Sequence, residues 1–229
     1  MHREKARDRA LIAVGSRFGK YNPEAEKKAR ELQLARNLAI DGMVEAWNRC
    51  DFSKGYFLDN YPVCENEIEK IKVRYTDEDV RSFSIMLGAF AEEPRFTEKA
   101  GMFLSALIHN CNSPLVTIVT RHLSPPPDCI GCYNTKEFVV DGPAGDQLGA
   151  FMTSGRIIVR GDAGDEAGAH MTGGEIVITG SAGRHLGEEM TGGGIIRVKG
   201  EIRELSSAIR SGFVYRKGKL VYGWGRYDD

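Results

Sequence analysis

The stretch "GDAGDEAGAHMTGGEIVITG", residues 161–180, decides how the second half of this chain folds. Its six glycines are too many for a helix, and its closing Ile176-Val177-Ile178 is too apolar for a linker. The flanking stretches say nearly the same thing. Residues 142–161 read "GPAGDQLGAFMTSGRIIVRG" and residues 180–200 read "GSAGRHLGEEMTGGGIIRVKG". Strand-like pieces at 138–142, 157–161, 176–180 and 196–200 each end on glycine, at spacings of 19, 19 and 20, with Gly194 read as the single insertion.

Between the strands the pattern is G-x-x-G-x-x-x-G-x-x-M-T-x-G. It runs through Gly142, Gly145, Gly149 and Met152, then Gly161, Gly164, Gly168 and Met171, then Gly180, Gly183, Gly187 and Met190. Ala144, Ala163 and Ala182 share one phase; Leu148, Ala167 and Leu186 share another. A unit of 19 is too short for a helix pair or a propeller blade and too long for a nine-residue calcium-binding roll. One coil of a parallel β-helix fits. Strands then pair with the coil below about 4.8 Å away, and glycines take the corners where φ is positive or coils crowd. The repeat predicts a short right-handed parallel β-helix of four rungs, three full ones plus a leading strand. Residues 212–222 alternate around Lys217-Gly218 and predict a closing hairpin.

Glycine also marks a boundary. Residues 1–132 hold seven of the 27 glycines, and residues 133–229 hold twenty. The seam is the turn-forming segment 124–128, Ser-Pro-Pro-Pro-Asp. We therefore expect an α+β chain in two parts, a helical domain over 1–132 and a β-helix domain over 133–229. In the first part Asn22-Pro23-Glu24 signals a helix start, and the helix continues to about Arg49. Leu32, Ala35, Ala39, Met43 and Trp47 form its buried stripe. Thr76 begins a second helix, carrying Val80, Phe83, Leu87 and Phe90 inward, and Thr97 is the expected cap of a third, carrying Phe103, Ala106 and Leu107. Residues 115–120 read as a strand. The helical part is expected to cover one end of the β-helix.

Lys plus Arg total 31 and Asp plus Glu 32, balanced in both halves, which argues against nucleic-acid binding. Only the first thirty residues lean basic, read as a solvated helix face. There is no apolar run long enough for a membrane span and no visible signal peptide. With five cysteines at low density, this points to a cytoplasmic setting.

The tandem glycine repeat resembles the GXGXG domain, which forms the C-terminal β-helix of the glutamate synthase large subunit and the β-helical subunit of formylmethanofuran dehydrogenase. The resemblance covers roughly residues 136–222. It implies a scaffold that packs against catalytic domains or subunits of an oxidoreductase, with no chemistry of its own.

No phosphate-cradling loop, nucleophile elbow or H-E-x-x-H motif is present, so no catalytic residue is assigned. The methionine column reads as core filler. His170 and His185 occupy different phases and read as exposed corner residues. Asp146 and Asp165 share a phase and would stack as like charges, with Arg184 next in line. One constellation could bind a cofactor: Cys129 and Cys132, with Cys111, His109 and His122 upstream. A C-x-x-C turn puts two sulfurs at one point, as zinc, an iron–sulfur cluster or a redox pair requires. The expected function is a non-catalytic scaffold or assembly subunit with protein partners or self-association. The alternatives are a component of a redox or amidotransfer complex that shapes a pocket or tunnel, and a cysteine-based metal-binding sensor.

Overall fold

The computed structural model describes residues 23–52 and 57–224. The chain divides into two compact units, residues 1–38 and 39–229. The expected Asn22 cap lies outside the described residues.

In the first unit the described residues are helical. They open α1 (Pro23–Arg49), whose residues 27–38 are all exposed. The buried stripe read from the sequence is therefore half right. Ala39, Met43 and Trp47 are buried, whereas Leu32 and Ala35 are exposed. Periodicity reports that a helix has an apolar side; it does not report whether this chain covers that side.

The second unit holds the rest of α1, then α2 (Phe57–Ile68), α3 (Asp77–Met86), a 3-10 turn (Leu87–Phe90) and α4 (Phe96–Asn110). α3 starts where predicted: Thr76 donates its N–H to the Asp79 carboxylate at 2.8 Å, and its hydroxyl donates there too. α4 begins slightly earlier than Thr97 suggested. Arg95 stands at its N-cap with φ 57°, its side chain held by Glu98 and the Phe52 carbonyl. Thr97 lies inside the first turn, where its carbonyl accepts the Asp128 N–H at 3.0 Å. Trp47 is ringed by Phe83, Phe90, Phe96 and Phe103. Its indole N–H donates to Glu93, and Lys99 lies 4.3 Å over its ring.

After α4 comes a seven-stranded sheet in sequence order: β1 (Val116–Val119), β2 (Glu137–Asp141), β3 (Arg156–Val159), β4 (Glu175–Ile178), β5 (Ile195–Val198), β6 (Gly212–Arg216) and β7 (Lys219–Trp224). β1 to β6 pair in parallel; β7 returns antiparallel on β6 as the expected hairpin. This is a parallel β-helix of about five turns, with one more parallel strand at each end than the glycine pattern alone reveals. β1 confirms the strand read at 115–120. The β6 coil keeps Gly200 and Gly212 but lacks the two middle motif glycines, yet Ile202 and Leu205 continue the alanine and leucine columns by bridging to Ala182 and Leu186.

Matching phases meet as the repeat requires. Ile157 faces Ile176, Ala144 bridges to Ala163, and Met152, Met171 and Met190 are wholly buried. The twenty-residue coil differs from its reading in one place. Gly194 packs against Met171, as Gly174 does against Met152, so it belongs to the repeat. The extra residue bulges at Gly193, where an added side chain would meet nothing within 4 Å.

α3 lies along β1, where Ser84 accepts the Val119 N–H at 2.9 Å, so the helical part covers that end. Residues 132 and 133 lie together in a turn that follows β1, and one apolar core runs across them, from Ala39 to Val214.

Candidate functional site

The C-x-x-C turn is a coil corner. Cys129, Gly131 and Tyr133 have positive φ. Gln147, Gly149 and Phe151 repeat that geometry one coil on; Glu166, Gly168 and His170 repeat it again. The Gly149 N–H donates to the Ile130 carbonyl at 2.8 Å, as Gly168 does to Leu148. "DCIG" at 128–131 is thus a worn copy of "DQLG" at 146–149. That alignment was the available signal for the first coil.

The structure does not gather the expected ligand set. The Cys129 thiol faces Gln147, 3.8 Å from its carbonyl oxygen. Cys132 turns to Ser105 of α4; burial pushes its thiol up to about 12. Cys111 is buried, with its sulfur 4.0 Å from the Tyr75 carbonyl. His109 and His122 are exposed on other surfaces. Among the described residues, no three His, Cys, Asp or Glu side chains are placed to hold one metal ion.

Two other arrangements stand out. A groove of about 470 Å³ opens beside the first corner. Asp128, Asp146 and Asp165 form one wall, with Cys129, Gln147 and Glu166 beside them; Arg95, Thr97 and Glu98 of the α4 start face them. Five carboxylates and one guanidinium make it acidic. The aspartates also hold the coils together. Asp128 accepts the Asp146 N–H, Asp146 that of Asp165, and Asp165 that of Arg184, at 2.7–2.9 Å. The predicted like-charge stack is therefore a ladder of backbone acceptors. Gln147 bridges the Cys129 thiol to the Glu166 carboxylate.

The second arrangement is a stack of rings, Tyr61, Tyr133, Phe151 and His170, with centroids 4.7–5.2 Å apart. His170 and His185 stand at positive-φ corners, as expected, near Glu189 and Glu188.

No protein-family model matches the chain, and neither the curated proteins nor the solved structures yield a match.

Proposed function

We propose that this chain is a non-catalytic scaffold or assembly subunit, built like the GXGXG β-helix of glutamate synthase and the β-helical subunit of formylmethanofuran dehydrogenase, and working in the cytoplasm. The observation that carries the reading is the first half of α1. Leu32, Leu34 and Leu38 are 58%, 60% and 49% exposed on a helical segment with no apolar cover among the described residues. Leu34 and Leu38, one turn apart, lie on one face of it, and exposed leucines side by side mark a surface for another protein. The polar groups of the acidic groove already serve the fold, which agrees with a structural role. Among the described residues no helix is long and apolar enough to cross a membrane.

The test is co-purification from the protein's own cells. The wild type retains a stoichiometric protein partner or a second copy, and Leu34→Lys with Leu38→Lys releases it without changing the circular dichroism of the fold. A wild-type chain that sediments as a lone monomer under those conditions overturns the reading.

The groove favours a second reading, a component of a redox or amidotransfer complex that contributes one wall of a pocket. Its acidic lining suits a cationic group or a basic partner surface.

A further inference from the structure

β7 closes the β-helix and leaves an edge of its own. It returns on β6, and its Tyr222 hydroxyl donates to the Ile209 carbonyl at 2.9 Å, so the hairpin is fastened to the last coil. On its other side β7 has no strand. It stands last in the sheet, and among the described residues no backbone bond joins it to any segment but β6. An outer strand with free N–H and C=O groups is a template for another strand.

Little protects this edge. Residues 219–224 read KLVYGW, with no proline and no acid, and the one charge, Lys219, stands at the hairpin turn. Leu220 and Val221 are 42% and 43% exposed. The one blunting feature is a register shift opposite Val214 and Tyr215, which leaves Val221 facing no residue of β6.

We propose that two copies of this chain join β7 to β7, antiparallel, in a twofold dimer with one sheet running through both. The other end of the solenoid selects this arrangement. There β1 lies under α3, and Ser84 already takes the Val119 N–H, so β7 cannot add to the β1 of another copy. The free edge that a second copy offers is β7 itself. Such a contact uses the same surface on both partners, so it closes at two and cannot grow into a fibre. Charge sets the direction. An antiparallel pair places the two Lys219 residues at opposite ends of a six-residue ladder, about 17 Å apart along the strand. A parallel pair would set them side by side. Six residues from each copy make a small interface, and the register shift shortens it, so the dimer is reversible on dilution. The pairing does not rest on the scaffold reading, because it uses none of the α1 leucines and needs no other protein.

The experiment is sedimentation velocity of the purified full-length chain over a dilution series, with amide hydrogen exchange at both ends of the series. The expected mass doubles with concentration and goes no further, and the amides of residues 219–224 exchange roughly tenfold more slowly in the dimer. Val221→Lys sets like charges near the twofold axis and keeps the chain monomeric, whereas Val221→Thr keeps the dimer. Leu34→Lys with Leu38→Lys keeps it too. The wild-type exchange result stands even if the lysine variant at 221 folds poorly. A monomer at every concentration overturns the proposal. So does a mass that grows beyond two chains, or a dimer in which residues 219–224 exchange as fast as in the monomer. A dimer dissolved by the α1 substitutions would move the interface to the leucines, overturning this pairing and leaving the scaffold reading in place. Slow exchange of residues 219–224 in the dilute monomer would show the edge covered within its own chain, and would equally overturn it.

Discussion

The Asp146 carboxylate accepts the backbone N–H of Asp165, one coil further along the β-helix, at 2.8 Å. The same bond joins Asp128 to Asp146 and Asp165 to Arg184, so one side-chain column fastens four successive corners. A carboxylate beside a half-exposed amide is the arrangement of a helix N-cap, transferred to a solenoid. Asp146→Ala is expected to lower stability by about 1 kcal/mol, or roughly 2–4 °C in Tm for a chain of this size. Asp146→Asn keeps an acceptor oxygen and should lose less than half of that. Equal losses in thermal unfolding would assign the effect to charge and not to the backbone bond.

Gly168 sits at φ 74°, and an added Cβ would lie 2.5 Å from Cδ1 of Ile196. Gly168→Ala combines left-handed strain with overpacking, a cost of about 2–4 kcal/mol. Ile196→Val removes the obstructing methyl. The double variant should therefore be more stable than the sum of the two single losses by about 1 kcal/mol, read from a double-mutant cycle in urea. Strict additivity would mean that backbone strain alone sets the requirement for glycine.

The methionine column is read as packing. Met171 is wholly buried, with Gly194 against it. Met171→Leu should cost less than about 1.5 kcal/mol and Met171→Ala about 2–4 kcal/mol, both by denaturant unfolding. A leucine variant as unstable as the alanine variant would show that the thioether does something volume does not.

Glu67 of α2 is gripped by Lys70 and by Arg49 of α1, which hold its carboxyl below the usual value, the Lys70 hydrogen bond being the larger influence. A depressed carboxyl pKa stabilises the fold above the unfolded value, near pH ~4.3. That contribution disappears as pH falls through the lower, folded value. The partners are largely solvated, so the effect is small. The Tm difference between wild type and Glu67→Gln should be about 2 °C at most at about pH 6 and shrink towards zero near about pH 3. A difference that grows on acidification would reverse the sign of the linkage.

Much of the β-helix was legible in the sequence because a solenoid poses the same backbone problem once per coil. A corner that needs positive φ needs it at Gly149, Gly168 and Gly187 alike, and an inward column puts Met152, Met171 and Met190 in one buried row. The first coil was harder to see. Its corner keeps only Asp128, Ile130 and Gly131 of the motif, and its methionine position is Asn134, whose side chain bonds to both backbone groups of Lys136. The corners share a backbone geometry that non-glycine residues such as Cys129 and Tyr133 can be made to adopt, so a residue pattern loses track of it there.

The chain alone thus determined the period, the inward columns, the closing hairpin and the existence of the amphipathic helices, since each follows from rules acting over a few residues or repeated at a fixed interval. Only the tertiary structure decided that Asp146 bonds to a neighbouring coil, that the Cys129 thiol faces Gln147, and that Leu32 is exposed. Those facts depend on which distant segments come together, and local propensity contains no term for that.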